Sequence, residues 1–404
     1  MGRFPRILAA EAGVRYKVRP EDFVVEEHIR LRLLPEGDFA VYRVRKRGVT
    51  TLSVQAQMAR ALGVSQADVV FPALKDKEAV TVQHAAVRAV GPARLDGRGF
   101  EARLLGHSLR PLSPGDISAN RFTLVLRDLA AEAAHIQERA ARVAQFGLPN
   151  YFDEQRFGSL ALGETHIAKR ILQRDAEGAL RAYLTQPFVG DPAPVRKFKA
   201  FASVHWGDWD ALFAAAPRPS NFRSVLTYLR DHPTDDPDER AMHDRKALNL
   251  ITQRLLGVYL SAYQSLLWNR IAGRYLEVVI GDVSHSVEIA GTRLPLYDEL
   301  SSQLDRDLAI PLPNHRASYA DPDLAAIVAQ ILKEEGLTLD DLKARILKRA
   351  YLPKGKRALL LFPEGMSCSP PEDDDRFPKR QKVFISFTLP RGSYATLVLK
   401  ALAA

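Results

Sequence analysis

The sequence predicts an α+β fold in which a sheet domain is built from both ends of the chain and a helix-rich domain is inserted between them. Three observations lead there. β-like alternation fills Tyr16 to Asp128, helical periodicity dominates from about Leu148 to Pro363, and alternation returns at Ala358 to Phe362 and Lys382 to Leu389. At 404 residues the chain also exceeds the roughly 250–300 that one hydrophobic core sustains. Two domains are therefore expected: residues 1–147 with 364–404 as the discontinuous sheet domain, and 148–363 as the insertion.

In order along the chain, Phe23 to Ile29, Phe39 to Val44, Val80 to Val87 and Phe122 to Leu126 are short runs rich in Val, Phe and Thr, which suits strands. Between the second and third, Thr51 to Leu62 sets Leu52, Ala56, Ala59 and Leu62 at helical spacing and stops at Gly63, whose missing Cβ suits a left-handed C-terminal position. A second helix is expected from Ala131 to Phe146, ended by Gly147 with Pro149 beyond. The insertion offers helices at Glu164 to Arg174, Ala176 to Thr185, Phe222 to Arg230, Glu239 to Glu277 with a break near Gly257 or Tyr263, Leu324 to Glu335 and Leu339 to Lys348. Arg218 to Ser220 and Pro233 to Asp238 read as loops. A short helix from Tyr394 to Leu402 closes the chain, and no internal repeat is present.

Lys and Arg number 57 against 48 Asp and Glu, a formal charge of +9. With a pI near 9.5, this suits a polyanionic partner, nucleic acid being the simplest, although moderate basicity is also common among soluble enzymes. Cys368 stands alone, so neither an intramolecular disulfide nor a thiolate metal cage can form within one chain. The first twenty residues carry charges throughout, no run resembles a signal peptide or a membrane span, and Met1 to Arg6 lacks the Ser or Thr of a myristoylation site. A cytoplasmic protein with no membrane partner is expected. Neither a Walker loop, a dinucleotide-binding glycine fingerprint, H-E-x-x-H nor G-x-S-x-G occurs, and the 10 histidines form no ligand-like cluster.

The most telling stretch is Ala73-Leu74-Lys75-Asp76-Lys77-Glu78-Ala79-Val80-Thr81-Val82-Gln83, a carboxylate between two lysines just ahead of an apolar alternation. Opposite charges nearby favour the anionic form, so Asp76 is expected to stay available as a nucleophile or base. By spacing alone, a K-D-K turn is also an ordinary solvated loop. The order of residues goes further, because it resembles the K-D-x-x-A-x-T-x-Q signature of the TruD family of tRNA pseudouridine synthases. Other blocks match in the family's order: Pro20-Glu21-Asp22-Phe23-Val24-Val25-Glu26-Glu27, Lys46-Arg47-Gly48-Val49-Thr50-Thr51 and Asn120-Arg121-Phe122. They continue with Gly147-Leu148-Pro149-Asn150-Tyr151-Phe152-Asp153-Glu154-Gln155-Arg156-Phe157-Gly158, the most specific string, and Leu389-Pro390-Arg391-Gly392-Ser393-Tyr394-Ala395-Thr396.

The resemblance implies a pseudouridine-synthase catalytic domain with a mixed β-sheet, permuted so that both chain ends contribute, and an inserted TruD domain. It implies isomerisation of a uridine in the D-stem region of a tRNA, position 13, with Asp76 catalytic and no metal, nucleotide or redox cofactor. Asp76 then acts as nucleophile or as base; sequence does not choose. By motif position Lys17 is the cation set against it. Phe23, Phe122 and Tyr394 are the base-lining set for a flipped uridine, each being otherwise a core residue. Asn120 can bond a uracil edge, since a carboxamide both donates and accepts. If Asp76 lies in a strand, Lys75 and Lys77 point to the other face and can meet RNA phosphates, or are plain surface lysines. Arg156 belongs to a stretch that suits either RNA contact or a domain joint. The expected partner is tRNA, with the protein a monomer; the alternative is a non-catalytic RNA-binding protein or RNA chaperone of the same fold.

Overall fold

The structure is a computed structural model that describes residues 14–404 apart from 89–90, 131, 159–165, 189, 282 and 284. The described residues divide into two compact units, one within Met1–Leu148, Tyr297–Leu300 and Leu361–Ala404, the other Pro149–Leu296 and Ser301–Leu360. The return of Tyr297–Leu300 to the first unit has no signal in the sequence. It is tied there by the Tyr297 hydroxyl, which donates to the Phe146 carbonyl (3.1 Å), and by Asp298, 3.2 Å from Arg142.

The first unit holds a ten-stranded sheet. Its N-terminal strands are β1 (Phe23–Ile29), β2 (Phe39–Arg47), β3 (Val69–Val70), β4 (Val80–Val87), β5 (Arg94–Gly97), β6 (Phe100–Ser108) and β7 (Ile117–Leu129). Across the sheet the order is Glu364–Cys368, Gln381–Pro390, β7, β1, β4, β2, β6, β5, with β3 also on β4 and Glu372–Asp373 also on Gln381–Pro390. The sheet is mixed, because β1 and β4 run parallel while the other pairs run antiparallel. The C-terminal strand lies directly on β7, so both chain ends do build one sheet.

Helix α1 (Thr51–Leu62) is capped by Thr50, whose hydroxyl accepts from Ser53 N, and ends at Gly63 with φ 68°. Its Val54, Met58 and Ala59 pack on Ala40, Tyr42, Val44, Ala85 and Val87 of β2 and β4, all buried. Helix α2 (Glu132–Phe146) packs against the closing helix Ala395–Ala403 and stops at Gly147. There φ is 73°, and an added Cβ would lie 2.7 Å from the Phe362 ring.

The second unit is largely helical. Its longest helix, Gln253–Ile280, is apolar nearly all round and buries Tyr263, Leu267, Trp268, Ile271 and Leu276, as a central helix must. The expected break at Gly257 or Tyr263 is absent. The chain breaks instead between helices Pro237–Leu248 and Gln253–Ile280, where Thr252 caps the second by accepting from Leu255 N. Leu339 to Lys348, expected as a helix, forms only the 3-10 turn Asp340–Lys343, ended by Ala344 at φ 53°. Helices Ala193–Val204 and Trp209–Ala215 and the β5–β6 hairpin were not legible from periodicity. The expected helix starts at Ala131 and Glu164 lie outside the described residues, as do Met1 to Arg6. Among the described residues no helix is long and apolar enough to cross a membrane.

Candidate active site

Strand register gathers the motif residues onto one face of the sheet. Val25 lies opposite Thr81 on one side and Phe122 on the other, Phe122 lies opposite Phe387, and Lys46 of β2 lies opposite Thr81. Side chains directly opposite share a face, and residues two apart in a strand do too. Phe23, Val25, Glu27, Lys46, Thr81, Gln83, Asn120, Phe122 and Phe387 therefore stand together. Toward β2 and the far end of β4 this face is covered by α1 with apolar residues. Toward β1 and β7 it mixes the rings of Phe23, Phe122 and Phe387 with polar Glu27, Thr81, Gln83 and Asn120, and the site lies there.

Asp76 is in the loop before β4, not in a strand, so the strand-parity expectation for its two lysine neighbours does not hold. The Lys17 ammonium donates to Asp76 Oδ2 at 2.5 Å. The cation is buried, with 1% of its side chain exposed, whereas 45% of the Asp76 side chain is open. Lys17 adopts φ 56°, left-handed and uncommon for a residue with a Cβ, and its Nζ also lies 3.9 Å from the centre of the Phe23 ring. Phe23 meets Phe122 edge to face at 6.2 Å and Phe122 meets Phe387 at 5.6 Å. Phe23 and Phe122 are buried in this row. The structure thus brings together Asp76, Lys17, Phe23 and Phe122 and adds Phe387, whose ring carries no motif of its own.

The two lysines beside Asp76 part company. Lys77 is exposed and forms no ion pair with a described residue. Lys75 turns inward, its Nζ donating to Asn120 Oδ1 at 2.5 Å and lying 3.2 Å from Glu27 Oε2. The Glu27 contact is an ion pair without hydrogen-bond geometry, and Glu27 Oε2 accepts no hydrogen bond from a described residue. Glu27, buried and directly opposite Asn120, accepts the His84 backbone N–H at 3.2 Å through its other oxygen.

The loop's main chain is clamped from beneath. Lys75 N donates to Thr51 Oγ1 (3.1 Å), and Lys46 Nζ donates to the Asp76 carbonyl (2.6 Å) and to Val49 O (3.2 Å). Burial pushes the Lys46 ammonium down to about 8, Asp76 opposing and Lys75 adding to the fall. Lys46, Thr51 and Glu27 were quoted in the motif blocks, yet residue type alone gave them no role. Their signal was a polar residue at an inward position of an alternating strand, or at the first turn of a helix facing it.

Tyr394 stands half-buried at the N-terminus of helix Ala395–Ala403, four residues beyond the strand end at Pro390 that pairs with Ala119 beside Asn120. Arg156 belongs to the second unit. There its Nε donates to Ser265 Oγ at 3.0 Å and its guanidinium lies 5.6 Å from the Phe152 ring. Around it the G-x-P-N-Y-F string is internal structure. Asn150 is held by Arg357, Tyr151 donates to Pro295 O at 2.9 Å, and Phe152 packs edge-on to Trp268.

A second charged cluster lies in the sheet unit. Arg127 of β7, wholly buried, donates to both oxygens of Asp22 (3.0 and 2.9 Å), to Asp374 (2.7 Å) and to Asp375 (2.8 Å). Burial works against the guanidinium, but the three carboxylates outweigh it and hold it firmly charged. Asp22 is the motif neighbour of Phe23, so this cluster anchors the start of β1 where the ring row begins.

Known proteins resemble this chain over nearly its whole length. The family model for tRNA pseudouridine synthase D (TruD) matches residues 8–402. The probable tRNA pseudouridine synthase D 2 of Methanocaldococcus jannaschii is 28% identical over 396 residues, 96% of this chain and 91% of that protein. The tRNA pseudouridine synthase D of Aquifex aeolicus is 28% identical over 404 residues, 96% and 98% of the two chains. The crystal structure of TruD from Methanosarcina mazei superposes with a TM-score of 0.74 at 23% identity, covering 96% of this chain and 93% of that one, a likeness of fold. With the match running nearly end to end, the chain belongs to the TruD family.

Proposed function

We propose that this protein is a tRNA pseudouridine synthase that isomerises a uridine in the D-stem region, with Asp76 as its catalytic carboxylate. The observation that carries the reading is the half-open Asp76 carboxylate, paired at 2.5 Å with the buried ammonium of Lys17 beside Phe23 and Phe122. A buried countercharge supports an acid residue that a ligand can still reach.

The reaction breaks the C1′–N1 bond of the uridine, turns the base, forms C1′–C5, releases the C5 proton and returns a proton to N1. It is a net isomerisation, so its balance calls for no oxidant, reductant or co-reactant. Because the uridine is stacked in folded RNA, it has to be extruded before Asp76 can reach it. Phe23, Phe122 and Tyr394 then cover the base and Asn120 bonds its edge. The basic excess of the chain suits phosphate contact, for which exposed Lys77 is the candidate near the site.

Incubation with unmodified tRNA carrying tritium at uridine C5 tests the reading. Tritium release together with pseudouridine mapped to one D-stem position is the expected result. Retained tRNA binding without release on any tRNA would instead favour a non-catalytic RNA-binding role.

A further inference from the structure

We propose that Lys75 and Glu27 are positioning residues that lock the Asn120 carboxamide with its NH2 group toward the substrate, so that the site reads uracil through a carbonyl oxygen. The proposal rests on the reading of Asn120 as a base contact given above.

The argument is one of polarity. A lysine ammonium carries three donors and no acceptor, so the only atom of Asn120 it can bond is Oδ1, and it does so at 2.5 Å. Turning the amide over would set NH2 against ammonium, two donors face to face, in a place where only 13% of the Lys75 side chain meets solvent. Lys75 cannot easily swing away. Glu27 holds its Nζ from the neighbouring strand at 3.2 Å, and Thr51 holds its backbone N–H at 3.1 Å. Glu27 and Asn120 face each other across β1 and β7, so carboxylate, ammonium and amide form one chain across a single rung. With Oδ1 committed, the donor end of Asn120 is what remains for a ligand.

A fixed donor has two consequences for a pyrimidine. It donates to uracil O4 and meets the cytosine N4 amino group donor to donor, which discriminates against cytosine. It also suits the turn that the reaction requires. Rotating uracil about its N3–C6 axis exchanges N1 with C5 and, in the same movement, O2 with O4. A donor aimed at a carbonyl position thus finds a carbonyl before and after the turn. Asn120 keeps one bond through both arrangements, holding the base while its glycosidic partner changes.

The test compares single-turnover rates on tRNA carrying uridine, 2-thiouridine or 4-thiouridine at the target, sulfur being the poorer acceptor. For the wild type each thio substitution is expected to slow conversion by about tenfold. In Lys75→Met the uridine rate falls and the thio penalty shrinks below about twofold, because the amide is free to turn. Lys75→Arg, still donor-only, keeps the penalty, and Glu27→Gln lessens it. Wild-type enzyme that converts uridine and both thio analogues equally fast would overturn the inference and leave the synthase reading standing. A full penalty retained in Lys75→Met would overturn the role of Lys75. Absence of product from the uridine tRNA would overturn the synthase reading, and this inference with it.

Discussion

The sheet unit contains two ion clusters that share a buried cation and differ in how many carboxylates surround it. Around Arg127 the cation is enclosed by three carboxylates, and both Arg127 and Asp22 are shut off from solvent. At Asp76 the cation is buried and the carboxylate is open, with 45% of its side chain exposed. The first arrangement joins β7, the approach to β1 and the C-terminal loop near Asp374, with two of its three carboxylates buried. The second leaves its anion addressable. Neither charge nor one open carboxylate marks a reactive site, since Asp375 is 43% exposed; what separates the two is that Asp375 shares its cation with the buried Asp22 and Asp374, whereas Asp76 stands with Lys17 beside the rings of Phe23 and Phe122.

The sharpest contrast pits Asp76→Asn against Arg127→Met. Asp76→Asn is expected to lower pseudouridine formation by about four orders of magnitude or more, with tRNA affinity changed only severalfold. Its melting temperature should fall by a few degrees at most, since the buried Lys17 ammonium loses its countercharge but keeps the Asn oxygen as an acceptor. Parallel losses of binding and turnover would make Asp76 structural and erase the distinction. Arg127→Met leaves Asp22 and Asp374 buried without their cation and should cost about 3–5 kcal/mol of stability in chemical denaturation. Where the variant is still folded, its turnover should remain within a few-fold of wild type.

Lys46 extends the comparison to a cation with no carboxylate of its own. Its folded value of about 8 lies below the ordinary 10.5, so between those two pH values the unfolded chain holds more protons. Its destabilising effect is full below about 8 and is relieved as pH rises toward 10.5. Wild type should therefore gain on the order of 2–3 kcal/mol relative to Lys46→Met across that window. Equal pH dependence of denaturation in the two proteins would show that Lys46 is not held as described. Phe122→Leu keeps the volume of the ring row and should lower turnover about tenfold while costing less than about 1.5 kcal/mol of stability. An unaltered rate in this variant assigns the ring to packing. The smallest effect expected is that of Lys77→Ala, which should flatten the slope of log binding constant against log salt by roughly 0.7–0.9. An unchanged slope removes Lys77 from the RNA surface.

The sheet unit was more legible than the helical one, for reasons visible at particular residues. Val80–Val87 and Thr51–Leu62 carry clean periods and clear stops, and they form over the ranges read from them. Arg94–Gly97 is charged and mostly exposed, so the hairpin it makes with β6 has no apolar period to betray it. The long helix conceals its start because Gly257 is tolerated within it, while the actual interruption depends on the Thr252 cap. At the site, the motif order picked out Asp76, Lys17, Asn120, Phe23 and Phe122, which the fold gathers on one face. The inward turn of Lys75 was hidden because it depends on a loop folding back across β1 and β7. Local sequence does not encode that path.

The pairing of Phe122 with Phe387 has a consequence for how the enzyme comes into being on the ribosome. The strand Gln381–Pro390, which completes the ring row and covers β7, is translated roughly 250 residues after β7 (Ile117–Leu129). At about 5–20 residues per second, β7 waits tens of seconds as an uncovered edge before its neighbour emerges. Nascent chains therefore carry Asp76 and Lys17 long before they carry a finished aromatic wall, and chains arrested before Phe387 lack that wall altogether.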